Sequence, residues 1–295
     1  MLMPFKDNGE IDYEGITAVT EFYLEAGAAG LFANCLSSEM FDLSPEERLK
    51  ATRHIVKLVD GKVPIVATGN FGKTIPDQAE SVKQMFGAGV EAVILVTGLL
   101  AGKQDSDEVF IANTNRLMEL TDGIPLGFYE CPVPYKRVLT AAQLKQFLET
   151  GRVIYHKDTC LDIGQVRAKI AVARGHNFGL YDAYLGHAVE SLAAGSDGLS
   201  CIQGNFFPEV IVWVCDHYDD PDLREEVGKV QQFFIDNMDV MHTVYPPVAK
   251  YFLQKRGMPI STVCRVSKDA VTPSVKRGMD KLFDDCAVLK SDLTI

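Results

Sequence analysis

A chain of 295 residues can bury a sizeable core, and its 40 acidic against 29 basic side chains leave a formal charge of −11 and a pI near 5.0. That balance, with no lysine/arginine cluster to offset it, argues against nucleic acid or an anionic membrane surface as the main partner. The seven cysteines lack paired zinc-ribbon spacing, and there is no signal-peptide pattern or run of eighteen apolar residues, so the sequence predicts thiols in a reducing cytoplasm and no membrane anchor.

In chain order, Met1–Phe5 reads as a first strand, a stub whose brevity leaves open a longer natural N-terminus. Ile11–Ala26 carries apolar residues at helical spacing and stops at Gly27. Gly30–Asn34 is strand, and Ser44-Pro45-Glu46-Glu47 is a helix start with a capping serine, proline in the first turn and glutamate three residues on. Strands at Val63–Gly69, Glu91–Thr97, Ile124–Tyr129, Val153–Lys157, Asn177–Asp182 and Gly198–Ile202 alternate with helices at Pro76–Phe86, Asp107–Leu120, Ala141–Thr150, Ile163–Ala173 and His187–Ala194. After Pro208 the alternation stops. Val210–His217, Leu223–Met241, Pro247–Arg256 and Val275–Phe283 read as helices.

Strict alternation implies a parallel sheet. Three short echoes, Ala26–Gly30, Ala88–Ala92 and Ala194–Gly198, each end a helix at glycine and open an apolar strand, as equivalent turns would. With the stub there are eight strands, and no G-x-G-x-x-G or phosphate loop announces an open doubly wound sheet. The expected architecture is a (β/α)8 TIM barrel over residues 1–208 carrying the active site, with a C-terminal helical extension over 209–295 packed on it.

Arg152–Asp158 drives a β-branched run into Lys157. A lysine at a strand exit is ordinarily one whose head snorkels to solvent. In a barrel, however, strand C-terminal ends build the active site, and an amine in a dry pocket can attack a ketone as a Schiff-base former. The other strand exits are polar too: Asn34–Glu39, Tyr129–Pro132, Asp182–Tyr184 and Gln203–Asn205. Alternation turns His156 away from Lys157, toward the helices. Cys35, Cys131, Cys160 and Cys201 fall near strand exits, but their spacing fits no metal motif, and packing between strands and helices explains them better than a soft-metal site.

Met3-Pro4-Phe5, Gly30–Glu39, Tyr129–Pro132, Lys157-Asp158 and Asn205–Pro208 together make the chain resemble the dihydrodipicolinate synthase and N-acetylneuraminate lyase family, over nearly its whole length. The resemblance implies Schiff-base enzymes acting on pyruvate and other 2-oxo acids without a metal or other cofactor, usually as homodimers or homotetramers. It makes Lys157 the imine-forming amine and Tyr129 the phenol that shuttles protons. It aligns Cys35-Leu36-Ser37-Ser38-Glu39 with the family's Gly-Thr-Thr-Gly-Glu carboxylate loop, which implies Ser37, the backbone donors of Ser37 and Ser38, and Leu36 in place of the first threonine.

Three further departures bear on substrate. Thr97-Gly98-Leu99-Leu100 stands where synthase-type members carry a tyrosine pair, Glu130-Cys131 replaces asparagine and an aliphatic residue, and Ala183 replaces a common glycine. Lysine-pathway synthase activity is therefore not expected. Glu130, Asp182, Ala183, Tyr184 and Gln203 are expected around the substrate tail, as readers of hydroxyls or as residues that merely cap and pair, and Lys136 or Arg137 as holder of a second carboxylate or as solvated charge. The leading expectation is an aldolase-type lyase of a 2-oxo acid. The alternatives are a dehydratase of a 2-keto-3-deoxy sugar acid through the same imine, and an inactive 2-oxo acid binding protein.

Overall fold

Short β-branched and aromatic runs pair side by side because each is followed by an amphipathic helix long enough to return the chain in parallel. The computed structural model describes residues 1–266 and 271–295. Its strands are β1 (Leu31–Phe32), β2 (Ile65–Thr68), β3 (Ala92–Val96), β4 (Leu126–Tyr129), β5 (Val153–Asp158), β6 (Gly179–Asp182) and β7 (Gly198–Leu199). All neighbours are parallel and spatial order follows chain order, the sequence of a TIM-barrel-like fold. All five residues of β3 are buried, as expected of a strand covered on both faces.

The outer layer is α1 (Tyr13–Glu25), α2 (Pro45–Val59), α3 (Ile75–Phe86), α4 (Asp107–Leu120), α5 (Ala141–Leu148), α6 (Ile163–Ala173) and α7 (Ala188–Ala194). The Ser44 box forms as read, with Ser44 Oγ accepting from Glu47 N at 3.2 Å and Glu47 Oε2 accepting from Ser44 N at 2.8 Å. The three echoed turns are alike in backbone as well, since Gly27, Gly89 and Gly195 have φ of 83°, 99° and 104°. A side chain is strained in that region, which is why glycine ends each helix.

Three expectations are revised. Met1–Phe5 is not a ladder strand; among the described residues it makes a single antiparallel bridge, Phe5 to Ile11. It nevertheless covers the free edge of β1. Leu31 and Ala33 donate toward β2, so the Phe32 carbonyl points the other way, and it accepts from Met1 N at 2.9 Å. The helix expected over Leu223–Met241 breaks into α9 (Arg224–Asp236) and α10 (Met238–His242), following α8 (Pro208–His217). Asn237, at φ −107° and ψ 8°, turns its amide back onto the Phe233 carbonyl at 3.0 Å, the local competition that makes asparagine a poor mid-helix residue. After α11 (Pro247–Lys255), the last helix α12 (Pro273–Leu293) runs ten residues beyond Phe283, because Met279, Leu282, Cys286, Leu289 and Leu293 continue one buried stripe.

Candidate active site

Residues opposite each other on neighbouring parallel strands present their side chains to the same face. Tyr129 of β4 lies opposite Lys157 of β5, which lies opposite Tyr181 of β6. Lys157 is 7 % exposed and Tyr129 4 %. The Lys157 Nζ sits 4.8 Å from the centroid of the Tyr129 ring and 5.6 Å from that of Phe32. Tyr155, two residues before Lys157 and on the same face, stacks on Tyr181 at 4.7 Å and meets Phe32 edge-on at 6.1 Å. Gly127 makes room for it, since a Cβ there would lie 2.8 Å from the Tyr155 Cβ. The amine therefore stands in an aromatic box with a phenol at its own level on each neighbouring strand. Burial pushes the Tyr129 phenol well above its ordinary pKa, with the neighbouring Cys131 and Cys35 thiols adding to the effect. Burial likewise pushes Cys131 up to about 11.

The loop after β1 is a single 3₁₀ turn, Leu36–Ser38, closed by Ser38 N on the Cys35 carbonyl and Glu39 N on the Leu36 carbonyl. The amides of Leu36 and Ser37 precede those bonds and are the turn's leading donors. Ser38 is fully buried and spends its hydroxyl on the carbonyls of Met1 and Ala33, both at 2.9 Å. The Ser37 Oγ instead accepts from Tyr245 Oη at 2.6 Å. Glu39, at φ 55°, aims its carboxylate away from the strands, to Lys250 Nζ at 3.1 Å and to the Val266 amide at 2.8 Å.

Alternation sends the residues flanking the amine and the phenol outward. Glu130, His156 and Asp158 are fully buried between the sheet and α6, where Lys169 Nζ donates to Glu130 Oε1 at 2.6 Å and to Asp158 Oδ2 at 2.7 Å. His156 Nε2 lies 3.3 Å from Glu130 Oε1 and 3.6 Å from Asp158 Oδ2. Burial opposes the charge on Asp158, but His156 and Lys169 outweigh it and hold its carboxyl well below the usual range. This corrects the placement of Glu130, which is clamped behind the strands rather than at the pocket wall. Among the described residues, Glu130, His156 and Asp158 are the one group of three spaced to hold a metal ion, and the Lys169 ammonium already bonds both of its carboxylates.

Asp182 also faces the helices, accepting from Tyr184 N at 2.9 Å with His187 Nε2 2.9 Å from its other oxygen, so it too leaves the pocket wall. Ala183 is half-buried at the exit of β6, its amide on the Asp158 carbonyl at 3.0 Å. Gln203 is buried in the turn after β7, and its Oε1 has no partner among the described residues. Lys136 donates to the Thr159 carbonyl at 2.7 Å. Arg137 is spent on Asp107 at 2.7 Å and the Asp105 carbonyl at 2.7 Å, whereas the exposed Lys136 keeps two of its three protons. The Thr97–Leu100 turn is covered by the chain itself, and a Cβ on Gly98 would lie 2.4 Å from the Tyr135 carbonyl oxygen.

The sequence reading brought Lys157, Tyr129 and Ser37 forward but missed Tyr245 and Lys169. Lys169 had a signal: it follows Val166 by three residues on the buried stripe of α6. Tyr245 stands between two helices in Val244-Tyr245-Pro246-Pro247, and nothing in that string marks it.

The sequence profile described as the dihydrodipicolinate synthetase family matches residues 1–283. Among named proteins, the chain is 27% identical over 265 residues to YagE of Escherichia coli K12, a candidate 2-dehydro-3-deoxy-D-gluconate aldolase, covering 88% of this chain and 85% of that one. It is 24% identical over 270 residues to YjhH of the same strain, a candidate 2-dehydro-3-deoxy-D-pentonate aldolase, covering 88% and 86%. The crystal structure of E. coli YagE in complex with pyruvate superposes with a TM-score of 0.84 at 22% identity, covering 98% of this chain and 96% of that one. Among the described residues no helix is long and apolar enough to cross a membrane.

Proposed function

Because the chain belongs to the dihydrodipicolinate synthetase family, a family of lyases of the class I aldolase type, we propose that it cleaves or forms a C–C bond in a 2-oxo acid through an imine on Lys157. The observation that carries this is the pairing of Lys157 with Tyr129 at one level of adjacent strands, the amine 4.8 Å from the phenol ring inside a nearly dry box. The free amine of Lys157 adds to the ketone carbon. One proton from the amine nitrogen and one from Tyr129 reach the oxygen, which leaves as water, and the protonated imine becomes an electron sink. In the cleavage direction the C4 hydroxyl gives its proton to the Tyr129 phenolate, the C3–C4 bond breaks to an aldehyde, and its electrons pass into the enamine. Protonation of the enamine at C3 and hydrolysis return the shorter 2-oxo acid and the free lysine. The iminium itself supplies the sink, so the route requires no cofactor.

The substrate class we favour is a 2-keto-3-deoxy sugar acid, in line with the names of YagE and YjhH. The 4-hydroxy-tetrahydrodipicolinate synthases that are also relatives, at 22–24% identity, are the poorer guide. The turn after β3, Thr97-Gly98-Leu99-Leu100, supplies no phenol where synthase-type members carry a tyrosine pair. On the same reading, residues 1–208 carry the site, 209–295 complete it from outside, and the active form is a homodimer or homotetramer in the cytoplasm. The test is intact-protein mass after incubation with pyruvate and borohydride. An adduct of pyruvate mass in the wild type and none in Lys157→Ala is expected; no adduct with pyruvate or any longer 2-oxo acid overturns the proposal.

A further inference from the structure

The hydroxyl of Ser37 ends a chain of hydrogen bonds that begins outside the pocket. Tyr23 Oη donates to Asn205 Oδ1 at 2.6 Å, Asn205 Nδ2 donates to Tyr245 Oη at 2.8 Å, and Tyr245 Oη donates to Ser37 Oγ at 2.6 Å. The direction of each bond follows from chemistry. Asn205 Nδ2 also contacts the Ile202 carbonyl oxygen at 3.1 Å, and a carbonyl only accepts, so the amide nitrogen must face that side. The Leu2 amide, which only donates, approaches Tyr23 Oη at 3.4 Å and turns that hydroxyl's proton toward Asn205. Tyr245 therefore accepts from Asn205, and its single proton has one place to go, Ser37 Oγ. Ser37 is left with its own proton, for which there is no acceptor among the described residues.

We infer that Tyr245 is a positioning residue that fills one lone pair of Ser37 and turns its hydroxyl proton away from itself, and so tunes the pocket to an anionic acceptor, the carboxylate of a 2-oxo acid. A serine hydroxyl alone rotates and is as ready to accept as to donate. Held by a phenol at 2.6 Å, it has one of its two lone pairs filled and its own proton turned away from Tyr245. Burial suits the phenol to this role, raising it well above its ordinary pKa and keeping it protonated, and it lies near enough to Tyr129 to raise that phenol as well. It reaches the loop after β1 from the link between α10 and α11, so the helical C-terminal region supplies a polar group to the barrel's own site. Replacing the phenol by phenylalanine frees Ser37 to turn its proton elsewhere, and the site loses a preoriented charge-assisted bond.

The inference rests on the reading of Ser37 as the carboxylate's donor, but its test does not need the imine. Pyruvate dissociation constants are measured by titration calorimetry for the wild type, Tyr245→Phe, Ser37→Ala and the double variant, with thermal melting to confirm folding. Each single variant should bind pyruvate about tenfold more weakly, the scale of one hydrogen bond to a charged group. The double variant should be no weaker than Ser37→Ala, because Tyr245 acts only through that hydroxyl. In competition trapping with borohydride, the ratio of pyruvate to hydroxyacetone adducts should fall about tenfold in Tyr245→Phe, since the neutral ketone has no carboxylate to lose. Additive losses, an unchanged dissociation constant or an unchanged adduct ratio overturn the inference, as does a wild type that binds no 2-oxo acid. Coupled losses in a protein that traps no imine leave it standing and overturn only the Lys157 chemistry.

Discussion

Lys169 ties the residue after Tyr129 to the residue after Lys157, and its removal should be costly in a way that can be worked out. In Lys169→Met the chain keeps a side chain of similar length but loses two charge-assisted bonds, at 2.6 Å to Glu130 and 2.7 Å to Asp158, where all three side chains are at most 1 % exposed. Removing one partner of a buried ion pair costs about 3–5 kcal/mol, because the remaining charge is stranded. Here the carboxylates are not left bare. Glu130 still accepts from the amides of Leu139 at 3.0 Å and Thr159 at 2.9 Å, and Asp158 from that of Cys160 at 2.8 Å. The expected loss is therefore at the lower end, about 3–4 kcal/mol. Against a total of about 5–15 kcal/mol, that moves the urea midpoint down by about 1 M if m is about 3 kcal/mol/M. Adding Glu130→Gln removes one of the two stranded charges and should recover part of the loss. A loss below about 1 kcal/mol in equilibrium unfolding, or a double variant less stable than Lys169→Met, would refute the clamp.

His156 shares that cluster, and three groups face it: Glu130, Asp158 and Lys169. Burial works against its charge, but the carboxylates of Asp158 and Glu130, 3.6 and 3.3 Å from its Nε2, outweigh that and raise its pKa above the ordinary value. A raised value in the folded state means a stabilisation present in full below the unfolded imidazole's pKa of about 6.5, and lost as pH climbs through the higher folded value. His156→Gln should therefore flatten the fall in unfolding free energy on the alkaline side of about pH 6.5; an unchanged slope would remove the histidine from the account. Gly98→Ala places a methyl 2.4 Å from the Tyr135 carbonyl oxygen, and should cost about 1–3 kcal/mol or displace the loop after β4. A variant melting within about a degree of wild type would show that the turn accepts the methyl without strain. Glu39→Gln weakens the bonds to Lys250 and to the amides of Arg265 and Val266, and should expose residues 261–266 to limited proteolysis; unchanged cleavage kinetics would count against Glu39 as the anchor.

The barrel was legible because its signals are local. Alternating periods, the Ser44 box and the three glycine turns each report on a few neighbouring residues, and alternation alone puts Tyr129 and Lys157 inward and His156 outward. The same parity also puts Glu130 opposite Tyr129 and Asp158 opposite Lys157, so Glu130's distance from the pocket wall was available to a strict count. Resemblance to the family fixes only Glu130's position in the sequence, and it is parity along the strand that turns its side chain to the helices. Tyr245 was not legible in that way. It meets Ser37 across 208 residues, in a link whose proline pair signals only a turn, and no periodicity encodes a partner at that separation. The break at Asn237 and the extra turns of α12 lie between these cases, each set by one side chain or one stripe that a longer window would have caught.

The long-range contacts converge on one place, the loop after β1. Ser37 accepts a hydrogen bond from Tyr245, Glu39 holds Lys250 and the Arg265 and Val266 amides, and Glu47 at the head of α2 pairs with the Arg265 guanidinium at 2.7 Å. In that last pair the hydrogen bonds from Arg265 outweigh burial and hold the Glu47 carboxyl down to about 2. The turn after β3, by contrast, is closed over by Tyr135 and Arg137 of the same chain, through Tyr135 Oη on the Ala101 carbonyl at 2.7 Å and Thr97 Oγ1 on the Arg137 carbonyl at 2.7 Å. The turn residues Thr97–Leu100 thus supply no phenol where synthase-type relatives carry their tyrosine pair, and Tyr245 brings one to Ser37 from the C-terminal helices.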